Sequence, residues 1–281
     1  MIPEPTHRQV MLNGRLLASG DASIPSFAAG SQAGDGVFET IKVLGGRPVF
    51  FTDHCARLVH GVRALGLGCA PKPAELRARC HEVLVANATL EGVLQVTVYA
   101  ARPDASELIV TSGSRYSPAD FARGFRLKTA RSVPCNSHFV RLKTIRQRAV
   151  YQRARRAAQA AGGDEALLVD PAGIVLEGSV SNFFLVRHGR ILTPALTSGI
   201  LPGIVRAQLL LASGLPPIEE SIVPEHFVGD TTEAFLTNSL LGVMPVAWID
   251  GYKYDVGRNP VTRAVIAAYQ RLEAADIAGG A

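Results

Sequence analysis

The sequence predicts an α+β protein in two parts, a smaller N-terminal α/β domain over residues 1–117 and a larger β-rich C-terminal domain with helices over 118–281. Three observations lead there. Strand-like and helical spacings are mixed from Val10 to about Ser112, whereas beyond Phe125 strand-like runs surround three helical stretches. Residues 113–124 are rich in Gly, Ser and Pro and poor in apolar side chains, the composition of a linker. The chain has 281 residues, ample for more than one core.

In order, residues 37–44 and 48–51 read as strands joined by Gly45-Gly46-Arg47, a hairpin signal. Asp53 can cap a helix over 54–65, in which Leu58, Val62 and Leu65 recur at helical spacing. Residues 73–87 read as a second helix, and 93–99 and 108–111 return to strand. After the linker come a strand at 125–130 and a long helix over about 145–161. Three apolar runs follow, 166–169, 174–177 and 183–186, separated by turn residues such as Asp170-Pro171-Ala172-Gly173, so a meander of strands is the simplest reading. A helix near 205–211, strands at 234–237 and 243–249 and a last helix at 260–275 complete the chain.

Composition narrows the class. A hydrophobic share of 47% with 19% charged residues is ordinary for a soluble enzyme. No apolar run approaches the roughly 20 residues of a membrane span, so no membrane partner is expected. The first eight residues lack the apolar core of a signal peptide, which makes a cytoplasmic location the expectation. The cysteines Cys55, Cys69, Cys80 and Cys135 are scattered, with no C-x-x-C pair. They read as free thiols in a reducing compartment, and no metal is expected. A net charge of +5 is spread along the chain apart from Arg146, Arg148, Arg153, Arg155 and Arg156. Without interleaved aromatics or a nucleic-acid motif, that cluster reads as a solvated or interface-facing helix, not a nucleic-acid site.

The chemistry gathers in residues 162–206. Glu177 closes the apolar run Ile174-Val175-Leu176, so it must be solvated, paired with a cation, or bonded to something that wants a negative charge. Ser179, Ser181 and Asn182 crowd polar groups just after it. Residues 199–206 read as a glycine-bounded turn opening a helix, where free N–H groups and the helix dipole suit a phosphate. A buried carboxylate near a phosphate cradle points to a phosphorylated, protonated heterocycle.

The order Glu177-Gly178-Ser179-x-Ser181-Asn182, Thr193-Pro194, Gly199-Ile200-Leu201-Pro202-Gly203-Ile204 resembles the class IV (fold type IV) pyridoxal-phosphate enzymes, a group of branched-chain aminotransferases, D-amino-acid aminotransferases and aminodeoxychorismate lyases. Upstream, Gly34-Asp35-Gly36-Val37-Phe38-Glu39-Thr40 and His54-x-x-Arg57-Leu58 resemble the family's N-terminal signatures. Downstream, Glu233-Ala234-Phe235 and Asn238-Ser239 to Pro245-Val246 resemble its last one. The likeness runs from about Leu12 to Gly251. It implies a two-domain fold type IV architecture, pyridoxal 5′-phosphate as cofactor, a small-molecule amino substrate, and a homodimer with each active site near the subunit interface.

A pyridoxal enzyme needs one lysine to hold the aldehyde as a Schiff base and then to move a proton. Of the five lysines, Lys42, Lys72, Lys128, Lys143 and Lys253, the resemblance selects Lys143, shortly before the long helix. Lys128 shares the local Arg-Leu-Lys-Thr context but sits earlier than the family places this residue. Arg57 matches the phosphate-binding arginine, whose planar fork can grip two oxygens. Glu177 matches the carboxylate facing the pyridine nitrogen, with Ser181 and Asn182 beside it as cofactor contacts. The N–H groups of Ile204 and Val205 and the hydroxyl of Ser239 match further phosphate contacts. Phe38, Arg102 and Arg131 are candidates on the substrate side. Two departures stand out: Val205 occupies a position that is Thr in many relatives, and Arg146, Gln147 and Arg148 replace the Asn-Tyr or Asn-Arg pair that follows the lysine.

One scaffold and one cofactor serve several reactions. The closing segment 237–246 looks more like that of the aminodeoxychorismate lyases, which implies loss of pyruvate from 4-amino-4-deoxychorismate to give 4-aminobenzoate, a step of folate synthesis. Against this, Tyr99-Ala100-Ala101-Arg102-Pro103-Asp104 lacks the arginine-glycine loop common in those lyases. The alternative is an amino-acid aminotransferase of D-amino-acid or branched-chain type, with 2-oxoglutarate or pyruvate as acceptor.

Overall fold

The computed structural model of the chain describes residues 9–23, 36–100, 105–114, 116–131 and 142–279. Six strands form the first sheet: β1 (Gln9–Leu12), β2 (Arg15–Ala18), β3 (Gly36–Leu44), β4 (Arg47–Pro48), β5 (Gly92–Tyr99) and β6 (Ser106–Ser112). Their spatial order is β2-β1-β6-β5-β3-β4, antiparallel throughout. Between β3 and β4, Gly45 and Gly46 take φ of 56° and 72°, the left-handed pair that a two-residue hairpin turn requires. Helices α1 (Phe51–Ala64) and α2 (Pro73–Ala86) cover one face of this sheet. Met11, Val37, Ile41 and Val43 from the strands pack there with Phe51, Cys55, Leu58 and Val62 of α1 and Leu76, Cys80 and Val83 of α2. Side chains alternate along a strand, so Glu39 shares the face of Val37, Ile41 and Val43. It is the charged member of an otherwise apolar row.

The start of α1 departs from expectation. The helix begins at Phe51, so the strand at 48–51 shrinks to Arg47–Pro48 and Asp53 falls inside the first turn instead of capping it. Its entry is set from far away: Phe50 holds a left-handed φ of 50°, and its N–H donates to Asp276 Oδ2 at 2.6 Å.

The second sheet has nine strands, with the further elements α3 (Pro118–Arg123), β7 (Phe125–Arg131), α4 (Ile145–Ala160), β8 (Glu165–Val169), β9 (Val175–Gly178), β10 (Asn182–Arg187), β11 (Arg190–Pro194), α5 (Ile204–Leu210), β12 (Ile218–Ser221), β13 (Glu233–Asn238), β14 (Gly242–Ile249), β15 (Tyr252–Lys253) and α6 (Pro260–Gly279). The order is β12-β11-β10-β13-β14-β7-β8-β9, with β15 on β14. The stretch expected as a linker contains α3. Ser117 and Asp120 form a reciprocal capping box there and Pro118 occupies its first turn, signals that outweigh the loop-like composition.

The expected meander is only partly present. β8 and β9 pair as a hairpin, but β10 pairs with β11 and β13 and not with β9. In a flat sheet the five steps from β10 to β9 would span about 24 Å. The chain from Gly178 to Asn182 can reach only about 14 Å. The sheet must therefore curl, and Gly178 N–H donates to Ser181 O at 2.7 Å across the turn that joins the two strands. Residues of β8 alternate between two cores, Leu167 and Val169 toward Phe183, Leu236 and Met244, and Ala166 and Leu168 toward Tyr151 and Ala158 of α4.

The described residues fall into two compact units. The first lies within Met1–Arg115, Leu142–Arg148 and Ala275–Ala281, the second within Tyr116–Arg141 and Ala149–Ala274. Among the described residues no helix is long and apolar enough to cross a membrane, and no group of three or more His, Cys, Asp or Glu could hold a metal ion. Cys55, Cys69 and Cys80 are free thiols, and Cys135 lies outside the described residues.

Candidate active site

In the first unit the site is built on β3. The N–H of Phe38 donates to the carbonyl of Lys143 at 3.0 Å, and Val37 bridges Thr144, so the segment before α4 is stitched to the strand. A side chain at Gly36 would meet Ile145 Cδ1 at 2.6 Å, which is why the strand opens on glycine at this approach. Thr144 Oγ1 accepts the N–H of Gln147 at 3.1 Å and so caps α4. Lys143 Nζ lies 4.9 Å from the centre of the Phe38 ring, and the guanidinium of Arg148 lies 5.0 Å from the same ring. The electron-rich face of the ring attracts both cations.

The other face of β3 carries a buried charge cluster. Arg57 grips Glu39 with two parallel bonds of 2.7 Å, Nε to Oε1 and Nη2 to Oε2. His54 Nδ1 lies 2.7 Å from Glu39 Oε2. Glu39 and His54 are each 1% exposed. Burial alone would raise the Glu39 carboxyl, but the charge and hydrogen bonds of Arg57, with those of His54, hold it well below the usual carboxylate range. Burial keeps the His54 imidazole below its ordinary value against the pull of Glu39, and Arg57 and Lys143 push the same way. A carboxylate only accepts, so a neutral His54 presents Nδ1–H to it. The sequence singled out Arg57, but not its pairing with Glu39 or the bond of His54 to the same carboxylate. The sign available was a carboxylate in an apolar strand row together with His54 and Arg57 at i and i+3 on one helix face.

In the second unit Glu177, at 3% exposure, is the penultimate residue of β9. Its Oε2 accepts the N–H of Leu201 at 3.1 Å and the side-chain amide of Asn182 at 3.2 Å. Asn182 also donates to Leu201 O at 2.9 Å, tying Glu177 to the 199–203 turn ahead of α5. Ile204 and Val205 open α5 and are buried, while Arg206 donates to Pro194 O at 3.0 Å and pairs with Glu220, anchoring α5 against the strands. Ser239 sits in the turn between β13 and β14, where Asn238 Oδ1 accepts the N–H groups of Leu240 and Leu241.

A second buried carboxylate of this unit bonds the turn that follows Glu177. Glu165, 0% exposed, accepts from Val180 N–H, Ser181 Oγ and Ser179 Oγ. Burial pushes its carboxyl above the usual range, with Arg155 and these hydrogen bonds pulling against that rise. The hydroxyl of Ser181 is thus bonded to Glu165. Of the remaining candidates, Lys128 lies on β7 in the second unit. Arg131, at the end of the same strand, pairs with Glu225, and Arg102 lies outside the described residues. Within α4, Tyr151 and Ala158 are buried while Arg146, Arg153 and Arg156 are exposed.

The model of the amino-transferase class IV family matches residues 36–249. A D-alanine aminotransferase from Bacillus licheniformis is 27% identical over 276 residues, covering 93% of this chain and 96% of that protein. An aminodeoxychorismate lyase from Bacillus subtilis is 24% identical over 287 residues, covering 93% and 94%. Among solved structures, the branched-chain aminotransferase from Thermoproteus uzoniensis with norvaline superposes with a TM-score of 0.84 at 28% identity, covering 94% of this chain and 93% of that one.

Proposed function

Because the chain belongs to the class IV amino-transferase family, we propose that it is a pyridoxal-phosphate-dependent aminotransferase acting on a small amino acid of D-amino-acid or branched-chain type, with a 2-oxo acid as acceptor. The observation that carries the cofactor reading is Glu177. A carboxylate at 3% exposure that accepts from Leu201 N–H and the Asn182 amide, both neutral donors, is chemically suited to a protonated ring nitrogen. Lys143 and the forked Arg57 supply the amine and the phosphate partner such a cofactor needs, so the donor set fits. For the reaction, full-length likeness to aminotransferases at 27% and 28% identity supports amino transfer over elimination. That reverses the preference drawn from the closing segment 237–246. The segment, with the 24% identity to a lyase, keeps 4-aminobenzoate formation as the second reading.

In this reading bound pyridoxal phosphate supplies an aldehyde that takes the amino group and a ring that accepts electrons as a C–H bond breaks. Lys143 Nζ would hold the cofactor through its aldehyde and, once freed by the substrate amine, would carry the substrate's α-proton to the carbon that ends with the amino group. Arg57 would hold the phosphate, and the Glu39 carboxylate keeps its guanidinium aimed. Ile204 N–H, Val205 N–H and the Ser239 hydroxyl complete the phosphate contacts. Glu177 keeps the ring nitrogen protonated, with Asn182 fixing its carboxylate and Ser181 bracing the turn beside it. Phe38 lines the substrate side next to Lys143.

The test is to incubate the protein reconstituted with pyridoxal phosphate with panels of D- and L-amino acids and, separately, with aminodeoxychorismate. Bleaching of the yellow absorbance by an amino acid, restored by a 2-oxo acid, is the expected result. Turnover to fluorescent 4-aminobenzoate with no response to amino acids would overturn it in favour of the lyase. A homodimer is the expected assembly, read as twice the chain mass by light scattering.

A further inference from the structure

We infer that Glu165 is a positioning residue of this site: through Val180 N–H and the Ser181 hydroxyl it clamps the turn between β9 and β10 and so fixes the aim of Glu177. The inference rests on the reading of Glu177 as partner of the cofactor ring. Oε1 of Glu165 accepts Val180 N–H at 2.8 Å, Ser181 Oγ at 2.9 Å and, at the limit of bonding, Ser179 Oγ at 3.5 Å. Three consecutive residues thus converge on one oxygen. A side chain at Gly178 would meet Ser181 Oγ at 2.3 Å and Glu165 Oε1 at 2.5 Å, so only glycine lets the turn close down on the carboxyl. From the opposite side Asn238 Nδ2 donates to Val180 O at 3.0 Å. The turn is gripped on both of its edges, and the residues that flank it are Glu177 and Asn182.

The chemistry argues for more than folding. A buried carboxyl bonded to neutral donors is costly. Turn closure alone needs no such group, since Gly178 N–H already bonds Ser181 O. Glu165 Oε2 and Arg155 Nε are buried with no hydrogen-bond partner among the described residues, so the carboxyl is committed to the turn through one oxygen. A slip of Val180 would carry Glu177 and Asn182 with it, and the Asn182–Glu177 bond would move as a unit.

The experiment compares Glu165→Met, Glu165→Gln, Glu177→Gln and the Glu165→Met/Glu177→Gln double variant. In cofactor-free protein, amide exchange read by mass spectrometry on a peptide spanning 178–182 should speed about tenfold in Glu165→Met. Glu165→Gln keeps an amide oxygen for Val180 and Ser181 and should exchange at the wild-type rate. Unchanged exchange in Glu165→Met overturns the clamp. Affinity for pyridoxal phosphate by equilibrium dialysis should fall about tenfold with Glu165→Met, but less than about twofold when Glu177 is already Gln. Equal losses in the two backgrounds mean that Glu165 does not act through Glu177, which overturns the inference. If Glu165→Met does not fold, Ser181→Ala takes its place in both measurements with the same expected signs. Failure of wild-type protein to bind pyridoxal phosphate would sink the proposed function by itself, while the exchange measurement still decides the clamp.

Discussion

Glu39 in the first unit and Glu165 in the second are both strand carboxylates removed from water, yet they are held in opposite ways. Around Glu39 the chain sets a cation, the bidentate Arg57, and a neutral imidazole, His54, with Lys143 near enough to act on that imidazole. Around Glu165 the hydrogen-bond donors are neutral, a backbone N–H and two hydroxyls, and the charge of Arg155 acts on it without a hydrogen bond. Burial pushes both carboxyls upward. Only at Glu39 do the partners reverse that push, so Glu39 is anionic where Glu165 is driven toward its neutral form. The same residue type therefore does two jobs. One carboxylate holds a positive fork in place, and the other shapes a turn.

The largest expected effect separates the lysines. Lys143→Ala should abolish turnover and the yellow absorbance of the reconstituted protein, whereas Lys128→Ala should leave both. The reverse result would move the chemistry away from the Phe38–Lys143 cluster of the first unit. Glu177→Gln should retain the cofactor and slow α-proton removal by about a hundredfold. Full-rate turnover in that variant would remove the carboxylate from its role.

Next come the two carboxylates themselves. Glu39→Leu leaves Arg57 and His54 facing an apolar side chain in a buried site. Urea denaturation should show a loss of about 3–5 kcal/mol, the cost of stranding a buried charge. Glu165→Gln keeps a neutral acceptor for Val180 and Ser181 and should stay within about 1 kcal/mol of wild type. Equal losses would erase the contrast between cationic and neutral partners.

A pH series sharpens it further. The Glu39 carboxyl is depressed below its ordinary 4.5, so its stabilisation is in place above that value and is lost as pH falls toward its folded value. The Glu165 carboxyl is raised, so its contribution is complete below 4.5 and is lost as pH rises through its folded value. Relative to wild type, Glu39→Gln should thus recover as acid is added, and Glu165→Gln should gain as pH rises above 4.5. Parallel curves for the two variants would mean that both carboxyls titrate alike.

Much of this frame was readable in the residues, and the gaps share a cause. The Gly45-Gly46 hairpin, α2 and the long α4 have signals within their own few residues, and all three form near the expected positions. The start of α1 does not, because the group that receives Phe50 N–H is Asp276, on α6. α3 hides in a loop-like composition because a six-residue helix shows too few turns for periodicity, leaving only Ser117 and Asp120 as cues. The separation of β9 from β10 depends on the pairing of β10 with β13, a contact between residues about fifty positions apart. At the site, Lys143, Arg57 and Glu177 stand out through family pattern. Glu39 and Glu165 are single acidic letters whose meaning lies in partners 15 to 18 residues away for one and 14 to 16 for the other.

The smallest expected effect tests whether exposure alone distinguishes two arginine–glutamate pairs. Arg57 and Glu39 have side chains 11% and 2% exposed, whereas Arg131 and Glu225 are 61% and 32% exposed. Water screens the second pair and competes for both partners, so Arg131→Gln should cost less than about 1 kcal/mol of stability, and that cost should vanish with added salt. Its kinetic outcome is the informative part. If Arg131 receives the carboxylate of the amino acid, KM should rise about tenfold or more while kcat and the cofactor absorbance hold, because a charge-assisted bond to substrate is lost and the chemistry is untouched. If KM is unchanged, Arg131 does not receive the substrate carboxylate, and Arg148, which shares the Phe38 ring with Lys143, is the next cation to test.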